Sequence, residues 1–566
     1  MKLFCYKLLN IGKLVLNTTQ CEKLIFGVKF LKLQNELGVP IPANKPLVVR
    51  TIKQVTKEQR EVALKTTEYN VFSFPADLLF VDFLSDSGSG TMTDLQWASL
   101  FHGDESYGRN KGYYVLLDAI RDTFERGDKP KNVKNLILSG ETNVEKLMKE
   151  LYLTTFEGGF VNGGIHQLTR PNAFIVPQGR CAEHLLFSTI APILRKQFSS
   201  REFYIPNNGH FDTTEANIMA NGLTPINLFS ANLLDEFPYE QMDNKNPFKG
   251  NMDIRRLEKL IQEKGVDAIP LIYITITNNT AAGQPVEMSN IKDVSKIAKK
   301  YDIPLFFDAC RFAENANFIK EFEKGYQNST IPSIVKEMFS YVDGFTISFK
   351  KDGLANIGGG FFFKDKGTFH RKFSIEEDIG ILLKEKQILT FGNDSYGGMS
   401  GRDIMALATG LYEVVQELYL NERKLQVRDF ARKLAQNNVP VILPAGGHAV
   451  YINMDKFFEG LESKVKDFKG VGFTLELIRH YGIRAAELGP FAFEWDKKTR
   501  EQQKDVLNLV RFAVPRNVYG PSHIDYAVAA ITELYNNRDK IPKVKISRGA
   551  KLRLRHFQTG LQPIYE

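Results

Sequence analysis

The chain is poor in cysteine, has no long apolar run and carries no strong excess of one charge. Its four cysteines, Cys5, Cys21, Cys181 and Cys310, are too few and too scattered for a disulfide framework or a paired zinc site, so a reducing compartment is expected. Nothing approaches the roughly 18 uninterrupted apolar residues of a spanning helix, and even the stretch 24–33 is broken by Lys29 and Lys32. No membrane partner is expected. The 74 basic residues are interspersed with 66 acidic ones, which argues against nucleic acid as a partner. At 566 residues, with 43% hydrophobic, the chain can bury a large core and is too long for one simple domain. The first 35 residues hold six lysines and one acid, Glu22, with no arginine and no serine. An N-terminal extension of a cytoplasmic protein is expected there, organelle targeting being the alternative.

From Asn172 to Asp365 short apolar runs alternate with segments of helical period. Strands are predicted within 172–178, 201–207, 268–277, 303–309, 343–349 and 358–363, and helices over 179–198 and 289–301. This rhythm predicts an α/β fold, a mainly parallel sheet covered by helices. Past Asp403 the pattern turns to long helices within 403–437, and then to isolated strands, clearest in 442–454. The predicted organisation is a large domain over 95–405 and a smaller α+β domain built from 36–94 and 406–566.

Ligands of open parallel sheets sit beyond the carboxyl ends of the strands. The residues found there are Gln178-Gly179-Arg180, Asn278-Asn279, Asp308-Ala309-Cys310-Arg311 and Ser348-Phe349-Lys350-Lys351. Pyridoxal phosphate chemistry requires a lysine for the imine, a carboxylate for the pyridine nitrogen and a phosphate cradle. Alone, each feature has a plain alternative: a turn glycine, a helix-capping aspartate, a solvated lysine pair. Together, in this order, they suit an aromatic cofactor carrying a phosphate, held at a helix N-terminus with help from Arg180.

Longer motifs point further. Among them are FLSDSGSGTMTDLQWASLFHGDESYG, VPQGRCAEHLL, HFDTTEANI, TNNTAAGQPVEMSNI, FFDACRFAENANFIKE, ISFKKDGLANIGG, LVRFAVPRNVYGPSHIDY and KLRLRHF. From about Leu78 to Phe557 the chain resembles the beta-eliminating lyases, the family of tryptophanase and tyrosine phenol-lyase. The resemblance implies the aspartate aminotransferase fold (fold type I) with pyridoxal phosphate on Lys351. Gln178, Gly179, Arg180 and Ser348 would hold the phosphate, Phe211 would stack on the ring, Asn279 and Arg311 would contact its phenolic oxygen, and Asp308 would pair with the pyridinium. Arg511 and Ser85 would bind the substrate. Tyr107, reaching in from a neighbouring subunit, would be the acid over the side chain. Gly88, Glu105 and Asn356 would hold a potassium or ammonium ion at an interface of a homotetramer.

At the positions where the two activities differ, this chain has Asp212, Leu488 and His556, as tryptophanase has. The resemblance therefore implies an aromatic amino acid substrate, L-tryptophan, with tyrosine cleavage or a non-catalytic paralogue as alternatives. A buried arginine at Leu488 would face indole without a partner, whereas leucine packs against the bicyclic ring. The chain departs from the family pattern at Ser85, Cys181 and Ala282 and over about 126–168, which the family spans in far fewer residues. That insertion contains the glycine-rich stretch GGFVNGG, expected to be flexible, as a surface hairpin, a lid or an interface element.

Overall fold

The computed structural model describes residues 43–45 and 49–565; the expected N-terminal extension, with Cys5 and Cys21, lies outside the described residues. Val49–Glu566 forms one compact unit. Its centre is a seven-stranded sheet of β1 (Ala173–Val176), β2 (Tyr204–Asn207), β3 (Thr224–Asn227), β4 (Ile272–Thr275), β5 (Leu305–Asp308), β6 (Gly344–Ser348) and β7 (Gly359–Phe363). The order across the sheet is β1-β7-β6-β5-β4-β2-β3. Only β7 runs antiparallel to its neighbours.

All six strands read from the sequence are present. Those of the middle, IYIT, LFFD and GFTIS, are buried along their whole length because helices cover both faces. The edge strand β3 has no sequence signal: TPIN is half-buried and contains Pro225, which an edge tolerates because its missing N–H interrupts no inner ladder. One face is covered by α1 (Gly179–Gln197) and its neighbours. The other packs on α3 (Met288–Lys300), α4 (Phe312–Phe322) and the helices Lys111–Arg121 and Ile331–Ser340. In the chain, α2 (Asp212–Ala220) follows β2.

The long helices expected over 403–437 are α5 (Gly401–Glu413) and α6 (Glu417–Gln436). The break at 414–416 lets the halves bury against different partners: α5 lies on the helices Asp94–His102 and Lys111–Arg121, and α6 on α4 and the helix Pro521–Asn536. Beyond it, β8 (Ala449–Asn453), β9 (Ala486–Leu488) and β10 (Leu509–Ala513) form an antiparallel sheet with β10 in the middle, placing Arg511 opposite Tyr451. Val81–Asp82 pairs with Ile483–Arg484, so residues before the large sheet join the C-terminal part.

The insertion is neither hairpin nor flexible flap. It holds the short helices Val133–Leu138 and Val144–Leu147, and its glycine-rich stretch is pinned. Phe160 and Val161 are fully buried, the Phe160 ring 5.1 Å from that of Phe345 in β6. Asn172 accepts from the Asn162 N–H at 2.8 Å and donates to Gly159 O at 2.9 Å. The glycines allow close passage, and the apolar pair between them provides the anchor. Phe160→Ala is expected to destabilise the fold by about 3–5 kcal/mol in denaturant unfolding; a change below about 1 kcal/mol would show that the segment is a dispensable surface addition.

Candidate active site

Helix α1 begins at the end of β1 with no side-chain cap, Gln178 being extended at φ −167°. Its first N–H groups are thereby left to an anion. The turn is tight because of two glycines. A Cβ on Gly179 would stand 2.9 Å from Ser348 Cβ, and one on Gly359 would stand 2.3 Å from the Gln178 carbonyl carbon. The ends of β1 and β6 and the start of β7 therefore meet at one anion cradle. Arg180 at its rim is exposed, its guanidinium 5.4 Å from the Phe557 ring centre.

Lys351 follows β6, half-buried, its Nζ 3.8 Å from the sulfur of Cys310. Asp308, buried at the end of β5, is in register with Thr275 of β4 and Thr346 of β6. A second carboxyl shares this space. Glu183 of α1 is buried, bonded to the hydroxyl of Thr214, with Thr213 at 3.5 Å and Asn217 at 3.4 Å. Burial, reinforced by the charge of Asp308, pushes the Glu183 carboxyl up to about 8. The Glu183 carboxyl is therefore mostly protonated at neutral pH. Burial and then Asp308 likewise raise the Cys310 thiol, so it is un-ionised.

Arg311 is gripped by Asp86, Nε to Oδ2 at 3.0 Å and Nη2 to Oδ1 at 2.7 Å. Arg516 also reaches Asp86, at 3.0 Å, and joins it to Glu314 and Asp352, both at 2.8 Å. Although burial opposes it, Arg311 and Arg516 hold the Asp86 carboxyl well below the usual range. None of Asp86, Glu314, Asp352 and Arg516 is marked by its sequence context as part of a charged cluster.

Several of the residues that the resemblance assigns to the substrate lie near Phe211. Its ring packs with Tyr451, Leu488 and Phe493, and Arg511 lies over it at 6.0 Å. Arg511 donates to Asn279 Oδ1 at 3.2 Å and to Leu84 O at 2.8 Å, next to Ser85. A cavity of about 140 Å³ opens between Leu488, Phe493, Thr280, Ile226, Glu215 and Lys498. Asp212, at the first position of α2, lies 2.9 Å from His556 Nε2, both buried. Burial would raise the Asp212 carboxyl, but His556 and Arg180 outweigh it and hold it below its ordinary value.

Gly88 and Asn356 are neighbours: the Asn356 amide donates to Gly88 O at 3.0 Å and Gly90 O at 3.1 Å. Glu105 is not with them. Its carboxylate takes Arg402 Nε at 2.6 Å and the Gly401 N–H at 3.1 Å, at the start of α5. Tyr107 is 73% exposed and meets Tyr396, not Lys351. Within one chain, then, these two stand apart from the residues around Lys351.

Residues 82–530 match the family model described as beta-eliminating lyase. The chain belongs to the beta-eliminating lyase family. Its relatives include a probable beta-eliminating lyase of Trichomonas vaginalis, 37% identical over 91% of this chain and 97% of that protein. A probable tryptophanase of Halobacterium salinarum is 35% identical over 91% and 98%, and a tyrosine phenol-lyase of Pasteurella multocida 35% identical over 93% and 99%. Among solved structures it is similar to an aspartate aminotransferase of Thermotoga maritima, with 12% identity, a TM-score of 0.48, and coverage of 85% of this chain and 98% of that one.

The residues of this family member fit pyridoxal phosphate. The uncapped N-terminus of α1 suits its phosphate, the buried Asp308 its pyridinium, and the amine of Lys351 its aldehyde. Glu183 allows a direct test of the buried pair. Its carboxyl is raised in the fold above the 4.5 of an unfolded chain, so the stability it contributes is complete below pH 4.5 and is lost as pH rises through about 8. Glu183→Gln should flatten the fall of melting temperature between pH 5 and 9; parallel curves for the two proteins would show that Glu183 is ionised throughout.

Proposed function

We propose that the protein is a pyridoxal-phosphate-dependent lyase that converts L-tryptophan and water to indole, pyruvate and ammonia. The observation that carries this reading is the buried Asp212–His556 pair at 2.9 Å, taken together with the apolar Leu488 that lines the cavity. Indole presents a single N–H and no oxygen, so it calls for an acceptor and an apolar wall. A phenol hydroxyl would call for a cation at Leu488, and leucine offers none.

Pyridoxal phosphate bound here would supply an electron sink toward which bonds at the alpha carbon can break. In this proposal Gln178, Gly179, Arg180 and Ser348 hold its phosphate, Phe211 covers one ring face, and Asn279 and Arg311 face the ring oxygen. Arg511 takes the substrate carboxylate as a planar fork, with Ser85 beside it. The Lys351 amine removes the alpha proton as general base. The bond to indole breaks only after the ring carbon has been protonated, and Tyr107 of a neighbouring subunit supplies that proton. His556, paired with Asp212, accepts from the indole N–H and moves protons at the ring.

The same reading assigns a homotetramer of a cytoplasmic enzyme. Exposure of Tyr107, with Trp97 at 51% and Phe101 at 89% on the adjacent helix, supports a subunit face there. Glu105 would then complete a potassium or ammonium site with the Gly88 and Asn356 carbonyl oxygens of another copy, oxygen ligands that suit a hard cation.

Incubation with pyridoxal phosphate, potassium and either L-tryptophan or L-tyrosine, assayed for indole, phenol and pyruvate, is the test. Indole and pyruvate from tryptophan, abolished in Lys351→Ala, are expected; phenol from tyrosine in their place would overturn the substrate assignment. His556→Phe should lower kcat/KM for tryptophan by about 10²-fold or more while sparing pyruvate formation from S-methyl-L-cysteine, whose thiolate leaves without ring protonation. Equal losses on both substrates would remove His556 from that role.

A further inference from the structure

Asn279 follows β4 and is buried, yet only one end of its side-chain amide is occupied. Three groups converge on Oδ1: Arg511 Nη1 at 3.2 Å, the Tyr451 hydroxyl at 2.6 Å and His448 Nε2 at 3.1 Å, the last a donor in the Nε2–H tautomer that an acceptor at this distance favours. Among the described residues the Asn279 N–H2 donates to nothing. Arg511 fixes which end is which, because a guanidinium has no acceptor and so must face the oxygen. The Tyr451 hydroxyl also lies 2.9 Å from the Asn279 main-chain oxygen, so its one proton is shared between the two oxygens of Asn279, the shorter contact being to Oδ1. Strand pairing brings this about, since Tyr451 of β8 stands directly opposite Arg511 of β10 and shares its face.

We propose that Tyr451 and His448 are positioning residues that orient the Asn279 amide, with Oδ1 toward Arg511 and the N–H2 turned to the ring oxygen of the cofactor. The proposal rests on the pyridoxal phosphate reading and does not depend on which amino acid is cleaved. Arg511 alone is a poor orienting group, because a substrate carboxylate competes for its donors. Tyr451 and His448 have no such competitor. Both are fully buried, and His448 faces Arg311, Arg511, Arg423 and Asp86. Burial and then Arg311 hold its imidazole well below the ordinary value, so it stays neutral with one N–H. Burial also raises the Tyr451 phenol, which keeps its proton. Neither donor is lost over the working pH range.

The spectrum of the bound cofactor reads this orientation directly. An N–H donating to the ring oxygen competes for lone pairs with the proton that this oxygen shares with the lysine nitrogen. Loss or reversal of the amide therefore raises the pH at which that proton leaves. In the holoenzyme, Tyr451→Phe should move the midpoint of the visible absorbance titration upward by about one pH unit. His448→Leu should move it in the same direction, and His448→Gln, which restores an N–H donor, should return it toward the wild-type midpoint. Wild-type midpoints in both Tyr451→Phe and His448→Leu would overturn the proposal. A wild-type protein that takes up no pyridoxal phosphate would overturn it together with the cofactor assignment, whereas a normal titration without tryptophan cleavage would overturn only the substrate assignment.

Discussion

Arg516 is buried among carboxylates from three different parts of the chain, and the geometry of the site depends on that one guanidinium. Asp86 belongs to the segment before the large sheet, Glu314 to α4, and Asp352 directly follows Lys351. Arg516 itself lies just beyond β10, which carries Arg511. One side chain thus ties the segment of Arg511 to that of Lys351, and through Asp86 to Arg311. With Arg311 and Arg423 the group holds three guanidiniums against three carboxylates, so burial leaves little net charge. Within it burial, and then the neighbouring Glu314, push Asp352 up to about 6. Such a cluster adds little stability when intact and costs about 3–5 kcal/mol when one partner is removed. Its use is register: none of the attached segments can shift alone.

Around this lock the site is assembled from distant parts of the sequence. Asp212 starts α2, which follows β2, and His556 comes from a short turn, Arg555–Phe557. The turn is held by Arg555, fully buried and paired with Asp496 at 2.6 and 3.0 Å, and by Asn70, which donates to His556 O at 3.2 Å. Lys351, Arg511 and the Asp212–His556 pair therefore belong to separate elements.

The sheet was legible in the sequence because its inner strands are buried on both faces and read as unbroken apolar runs such as LIYITIT and IPLFFDA. The strand-end rule pointed to Gln178, Asp308 and the Lys350-Lys351 pair, and the family resemblance singled out Lys351. What escaped has physical reasons. The edge strand β3 is half-buried and carries a proline, so no apolar run marks it. The place of the break between the long helices, 414–416, is imposed by two sets of packing partners and not by a helix breaker. GGFVNGG reads as loose because glycine dominates its composition, whereas Phe160 decides its position. The ionic lock around Arg516 and the protonated Glu183 depend on contacts between residues up to 430 positions apart, and no local pattern encodes those. The separation of Glu105 and Tyr107 from the residues around Lys351 is likewise a property of the folded chain.

The uncapped start of α1 has a thermodynamic side. A helix of 19 residues that leaves its first N–H groups without a side-chain acceptor is worth less in water than a capped one. An anion bound there restores the deficit, and any ligand that binds only the folded state adds RT ln(1 + [L]/Kd), about 2.7 kcal/mol at a hundredfold excess over Kd. Cofactor affinity and the stability of the large lobe are then the same free energy seen from two sides. The cell's supply of the phosphate ligand would set how much of this protein survives as well as how much of it works.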